Sequence, residues 1–348
     1  MFAQIVYPSE LSPEELDNYL SNGWFRMRQA IFTTNFLQFH DIFYSAIWLR
    51  VAIAKYQEDK KFKTLQKLNN TFRIEIKKSE ASKFSEAHEQ LFQLYRQSIS
   101  FEVSTSLGEL LLGNDNPSIF NTHEVNIFDG ETLIAAGFFD LGKTTAAGIT
   151  CIYHPAYKKH SLGKYLIYLK INFCLNQNLQ YFYPGYAVPG YPPFEYKLSI
   201  GKSTLQYLQM ASQQWLPIDP VSDLQNPLHK MVDKLTDAKR LLNEVTFPTT
   251  LQYYRFFEAN LNLQYLGNQL LDFPVFLICY PAVHNTELIC LVFDVVDSSY
   301  YLLQLSSIIH LGPHQENKQV YEESLLKVDS CLFVSSTLTE MVNFLSTY

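Results

Sequence analysis

Residues 125–140 read VNIFDGETLIAAGFFD, two apolar stretches joined by Asp129-Gly130. An Asp-Gly pair between such stretches is the strongest short-range signal for a β-hairpin. Residues 146–155, AAGITCIYHP, form another β-rich stretch that ends at Pro155. In residues 156–178, AYKKHSLGKYLIYLKINFCLNQN, Leu162, Tyr165, Leu166, Leu169 and Phe173 recur at helical spacing behind a Ser-Leu-Gly entry. Residues 179–186, LQYFYPGY, read as a short strand ending at Gly185-Tyr186. The order is strand, strand, strand, helix, strand.

That is the order of the N-acetyltransferase-like core, and particular residues within it carry a family resemblance. Asp140, Tyr153 with Pro155, Ser161-Leu162-Gly163 with Tyr165, Tyr181-x-Tyr183-x-Gly185-Tyr186 and Tyr196-Lys197 resemble the C-terminal signature of the arginyl- and leucyl-tRNA–protein transferases. The match runs without a gap from Asp140 to about Gly185, and the resemblance covers roughly residues 20–205, strongly over about 60 of them. It implies an α+β fold: a GNAT-like (acyl-CoA N-acyltransferase-like) mixed sheet flanked by helices, followed by an additional α+β C-terminal region. It also implies an aminoacyltransferase that moves an amino acid, of the arginine or leucine class, from aminoacyl-tRNA to a protein N-terminus. No cofactor is expected, because the charged tRNA is itself the donor.

The 348 residues are enough for more than one domain. No window approaches the roughly 20 apolar residues that span a bilayer, and MFAQIVYPSELSPEEL lacks the basic start and apolar core of a signal peptide. A cytoplasmic protein without a membrane partner is the expectation. Cysteines at 151, 174, 279, 290 and 331 show no Cys-x-x-Cys and no His spacing, so they read as reduced thiols without a metal. The net charge of −7 is uneven: residues 1–220 hold 20 basic and 20 acidic side chains, residues 221–348 hold 7 and 14. Lys55 to Lys83 holds nine Lys/Arg against four Asp/Glu, a patch suited to an RNA backbone or simply to water.

Ser12-Pro13-Glu14-Glu15 is a helix-start pattern, expected to run to Leu20. Residues 23–36 and 39–53 alternate as strands, residues 84–97 and 107–113 read as helical, and Gly113-Asn114-Asp115 ends the latter. Prolines around 213–227 suggest a boundary near 215. The expected division is 1–115, an N-terminal α+β region; 116–215, the transferase core; and 216–348, a C-terminal α+β region with no chemical motif. In that last region Met231 to Val245 and Leu251 to Asn260 read as helices, then three strands and a terminal helix from Leu338.

The start of a helix at His160-Ser161-Leu162-Gly163-Lys164 offers free backbone N–H groups and a positive dipole end to an anion. With Tyr165 and Lys197 at matching family positions, it is expected to bind the donor's phosphates or 3′ nucleotide. A plain Ser cap on a tight turn is the other reading. Asp140 is expected to orient or deprotonate the incoming α-amine, or else to cap a turn. Tyr183 and Tyr186 are expected to line the ester site. Arg26, Arg28 and Tyr95 are the expected acceptor contacts, the arginines reaching an acidic N-terminal residue.

Two departures from the family stand out. The stretch around His40 to Trp48, where the family's cysteine cluster would fall, has no cysteine. The Tyr-x-x-Tyr-x-x-x-Arg-His segment appears as Phe92 to Ser100, with Tyr95 kept and the Arg-His pair lost. Two alternatives therefore stay open: a coenzyme A-dependent N-acyltransferase using the same helix start, with acetyl-CoA as donor, and a non-catalytic binding protein that kept the fold. The amino acid transferred, the acceptor and the oligomeric state are not legible.

Overall fold

The computed structural model describes residues 1–348 apart from 58, 81–83, 100–102, 114–116, 219–225, 266, 281–287, 311–318 and 322. Ser100, Asn114-Asp115 and residues 219–225 of the expected boundary stretch lie outside the described residues.

The first elements form a small layer at one end. Strand β1 (Ala3–Val6), helix α1 (Pro13–Ser21), and strands β2 (Phe25–Met27) and β3 (Ala30–Thr34) come first, the strands pairing in the order β1-β3-β2. Helix α1 starts where expected. Ser12 Oγ accepts from the Glu15 N–H at 3.2 Å, and the Glu15 carboxylate accepts from the Ser12 N–H at 2.8 Å, a reciprocal cap behind Pro13. A hairpin of β4 (Phe36–Phe39) and β5 (Ile42–Ser45) turns through His40 and Asp41.

The main sheet has eight strands. They are β6 (Ile47–Ala52), β7 (Arg73–Lys78), β8 (Thr122–Asp129), β9 (Thr132–Leu141), β10 (Thr145–Tyr153), β11 (Tyr181–Ala187), β12 (Leu205–Gln209) and β13 (Gln214–Pro217). Their order is β13-β12-β6-β11-β10-β9-β8-β7. The Asp129-Gly130 hairpin is present between β8 and β9. Two strands, β6 and β7, come from the first 115 residues. All neighbours are antiparallel except β10 and β11. A parallel pair requires a crossover, which α5 (Leu162–Asn176) supplies.

Helices cover both faces of this sheet. On one, Ala135, Phe139 and Ala146 meet Leu162, Leu166 and Ile171 of α5, with Phe62 of α2 (Lys60–Leu68) stacked 5.7 Å from Tyr168. On the other, Ala136, Phe138 and Ile152 meet Leu91 and Phe92 of α3 (Glu86–Gln97) and Leu107 and Leu111 of α4 (Leu107–Leu112). The alternation of Ala135, Ala136, Phe138 and Phe139 between two cores follows from the period of two in a strand. After β11 comes the short α6 (Pro192–Glu195).

The C-terminal third builds a second sheet. It contains β14 (Thr249–Tyr254), β15 (Val275–Cys279), β16 (Leu288–Asp294), β17 (Ser299–His310), β18 (Val320–Tyr321) and β19 (Ser324–Ser335), ordered β18-β14-β15-β16-β17-β19. Helices α7 (Pro227–Glu244) and α8 (Leu338–Thr347) contribute to its core, α7 through Leu228, Met231, Leu235, Ala238 and Leu242. The helix expected at 251–260 is instead β14 followed by a 3-10 turn at Arg255–Leu261. Leu251, Tyr253 and Tyr254 fit a strand as well as a helix, and pairing with β15 decides.

Leu166 is fully buried against the sheet. Leu166→Ala is expected to destabilise the protein by about 2–5 kcal/mol in urea unfolding, as buried leucine truncations do.

Candidate active site

The parallel strands β10 and β11 pair over only Thr145–Ala147 and Tyr181–Tyr183. Pro184 follows at once, and having no N–H it cannot extend a ladder. Pairing of β11 with β6 also shifts register between Phe182 and Gly185. Beyond Ala147, β10 keeps only its partner β9, out to Tyr153. The two strands therefore part, and a cavity of about 530 Å³ fills the notch between them. Phe92, Tyr95 and Leu110 close one side, Ile167 and Lys170 of α5 the other, and Pro184, Phe194 and Tyr196 the end.

The charge of this cavity is one-sided. Lys158, Lys164, Lys170 and Lys197 line it, and among the described residues no Asp or Glu does. The start of α5 opens onto it as well. Ser161 takes a left-handed conformation (φ 50°, ψ 39°) and makes no side-chain cap. The first helical bond runs from the Tyr165 N–H to the Ser161 carbonyl at 3.0 Å. The N–H groups of Gly163 and Lys164 are thus not used by the helix, and the positive end of its dipole adds to the lysines.

Two of the lysines are tied to the backbone, Lys170 fully buried and Lys197 partly so. Lys170 Nζ donates to the carbonyls of Phe138 (2.8 Å) and Thr150 (3.0 Å) and lies 3.3 Å from Cys151 Sγ. Burial pushes its pKa down, against smaller opposing effects of Cys151 and Asp140. Gly137 makes room for it, since a Cβ there would stand 2.9 Å from Lys170 Cε. Lys197 Nζ donates to the Tyr186 carbonyl at 3.0 Å and lies 4.8 Å from the centre of the Phe194 ring. Burial lowers its pKa to about 8. Gly185, at φ 87°, lets the strand turn beneath this ammonium.

Of the residues singled out from sequence, Tyr95, Ser161, Gly163, Lys164 and Lys197 meet in this cavity. Tyr95 stands edge-on to Tyr153 at 5.3 Å, and burial raises its pKa to about 12. Leu162 and Tyr165 point into the core beneath α5. His160 turns toward the end of α2, 3.2 Å from Asn69 Oδ1 and edge-on to Phe72. Tyr186 lies beside the cavity, stacked on Phe194 at 5.5 Å, and supplies the carbonyl that holds Lys197.

Asp140, Tyr183 and the two arginines sit elsewhere. Asp140 is completely buried and paired with Arg26 Nη1 at 3.0 Å, and Thr122 Oγ1 donates to it at 2.7 Å. Arg26 also bonds the carbonyls of Arg28 and Leu111 and covers the Phe120 ring at 4.2 Å. Neither side chain lines the cavity. Tyr183 is buried among Phe25 and Trp215 on the α1 side of the sheet. Arg28 is exposed and pairs with Glu109 at 3.2 Å.

Two residues of the cavity were not anticipated from sequence, Cys151 and Lys170. Lys170 had a readable signal. It stands in the middle of LIYLKINFCL, a helix apolar on nearly every side, and such a helix is buried all round. Nothing in the sequence marks Cys151 apart from the other cysteines.

Residues 54–207 match the family described as arginine-tRNA-protein transferase, C terminus. An aspartate/glutamate leucyltransferase of Leptospira interrogans is 23% identical over 220 residues, covering 61% of this chain and 82% of that one. Arginyl-tRNA–protein transferase 1 of Saccharomyces cerevisiae is 29% identical over 102 residues, 29% of this chain and 20% of that protein. Among solved structures, the C-terminal domain of a putative lysylphosphatidylglycerol synthetase from Agrobacterium fabrum gives a TM-score of 0.32 at 11% identity, over 44% of this chain and 49% of that one, a likeness too slight to argue from.

Two outcomes follow from the charges. Lys197 is cationic below about pH 8, so sulfate, which does not titrate here, should bind progressively less well as the pH rises through that value. Lys197→Met should remove the pH step in calorimetric titration. For the buried pair, Arg26→Met strips Asp140 of its cation and should cost about 3–5 kcal/mol near neutral pH. Burial already holds the Asp140 pKa above its unfolded value, and losing Arg26 raises it further. The folded variant then binds a proton more tightly than the unfolded chain, so its stability should recover as pH falls, when urea melts at about pH 8 and about pH 5 are compared.

Proposed function

We propose that this chain, whose residues 54–207 match the arginine-tRNA-protein transferase C terminus, is a member of the arginyl- and leucyl-tRNA–protein transferases and moves an aminoacyl group from aminoacyl-tRNA to the α-amine of a protein N-terminus. The observation that carries the reading is the notch between β10 and β11, lined by four lysines and opening on the start of α5. Phosphates of the donor's 3′ end suit the Gly163 and Lys164 N–H groups with Lys158 and Lys164 beside them. A terminal adenine suits the rings of Tyr95 and Tyr153.

The net chemistry forms one C–N bond and breaks the ester C–O bond to the ribose, whose hydroxyl departs with a proton while the amine loses one. An aminoacyl ester is already activated, so holding amine and carbonyl together supplies much of the rate. Charge develops on the carbonyl oxygen, and Tyr95, protonated with its pKa near 12, is a hydrogen-bond donor in the cavity for it. Asp140, closed in its pair with Arg26, acts in this scheme by fixing β2 against β9. For the acceptor, exposed Arg28 beside α4 is the cation an acidic N-terminal residue can meet, Leu110 of the same helix lining the cavity.

Lysines of α2 extend the positive surface. Asn69, at the end of that helix, donates to the His160 carbonyl at 3.2 Å, so the helix lies next to the segment that carries Lys158 and Lys159. Neutralised phosphates release counterions, and binding of tRNA should weaken steeply with salt.

A Cβ on Gly163 would already stand 3.3 Å from Tyr153, so Gly163→Trp crowds that ring and fills the mouth of the cavity. Filter binding of charged tRNA, uncharged tRNA and acetyl-CoA is the test. Salt-sensitive binding of charged tRNA, reduced at least about tenfold in Gly163→Trp with unchanged circular dichroism, is expected. Binding of acetyl-CoA alone overturns the reading.

A further inference from the structure

Five free cysteines occur in the chain, and their settings differ. Cys174, Cys279 and Cys290 are packed into cores, and Cys331 is exposed on β19. Cys151 lines the cavity in the notch, partly open to it. Its sulfur faces Lys170 Nζ at 3.3 Å. The other two neighbours of that nitrogen, the carbonyls of Phe138 and Thr150, can only accept.

This arrangement suits a proton shared between the pair. A neutral amine gives two N–H groups to the two carbonyls and turns its lone pair to the thiol, and once it holds the thiol proton it has a third N–H to donate to the sulfur. Burial disfavours the ammonium until a negative charge forms beside it. A thiol beside an amine that can take its proton, inside a cavity open to substrate, is the arrangement of an activated nucleophile. Cys151 shares the cavity lining with Tyr95, Tyr196 and Lys197.

We propose that Cys151 is a covalent nucleophile of the transfer, receiving the aminoacyl group from tRNA as a thioester before the acceptor amine takes it. The inference rests on the transferase reading. In the first step the sulfur attacks the ester carbonyl as Lys170 accepts the thiol proton; a C–S bond forms, the ester C–O bond breaks, and the proton returns to the departing ribose hydroxyl. In the second step the α-amine attacks the thioester; a C–N bond forms, the C–S bond breaks, and the amine's proton restores the thiol. No oxidant, reductant or further reactant enters. Cys151 is catalytic in this scheme, and Lys170 positions it and carries its proton.

The test uses the full chain with tRNA charged with radiolabelled leucine or, separately, arginine, without acceptor, quenched in acid. Label should appear on the protein, be released by neutral hydroxylamine and map to the peptide containing Cys151. Cys151→Ala should lose the label and slow transfer to an acceptor peptide at least about 100-fold. Transfer by the wild type without trapped label, or transfer by Cys151→Ala within about twofold of wild type, overturns the thioester step and leaves the transferase reading intact. If the wild type transfers neither amino acid, that reading fails, and the thiol is judged separately with iodoacetamide at about pH 6.5. There Cys151 should alkylate at least about tenfold faster than exposed Cys331 in the same chain, and Lys170→Met should abolish the advantage. Cys331 reacting as fast as Cys151 in the wild type overturns the proposal whatever the substrate.

Discussion

The parting of β10 and β11 is the constraint on which the rest of the site depends. A parallel pair at the centre of an eight-stranded sheet would ordinarily run the length of both strands. Here Pro184 removes a ladder donor directly after the third residue pair, while the Phe182 ring lies beneath Gly148, 3.1 Å from where a Cβ would stand. The backbone groups of β10 beyond Ala147 consequently face a cavity. Because α5 must begin near the end of β10 and return to β11, its N-terminus opens into the same space. The notch, the anion-favouring helix start and the lysines thus share one geometric origin.

That space concentrates positive charge. Each interior lysine offsets part of its desolvation with backbone carbonyls: two for Lys170, one for Lys197. The remaining imbalance is what a phosphate or a transient thiolate can neutralise. On the adjacent strand β9 the chain solves the opposite problem by pairing Arg26 with Asp140, with Thr122 and two carbonyls completing the network. One buried charge cluster is closed on itself and supports the fold; the other is left open toward a ligand.

The core was readable because its signals are local. Asp129-Gly130 sets a turn, Ser12 with Glu15 caps a helix, and apolar residues along 162–174 repeat at helical spacing. The stretch 251–260 misleads for the converse reason, since its apolar residues fit either period and the neighbouring strand decides. Within the site, Gly163, Tyr95 and Lys197 were legible as family positions and Lys164 as part of the basic helix start, and the structure brings them together. Asp140 was legible too, but its partner Arg26 is 114 residues away, and no spacing rule reports so distant a pair.

The sequence by itself determined the order of elements, the hairpin, the crossover helix and the basic, glycine-bearing helix start, since each is written in residues only a few positions apart. Tertiary structure alone decided which side chains share a cavity. Lys170 reaches Cys151 across a helix and a strand, over a glycine that leaves room for its stem. Asp140 is turned toward Arg26 because successive residues of a strand face opposite ways and the β2 segment packs on that face. Proximity of this kind comes from packing between distant segments, and that is information no short window of sequence contains.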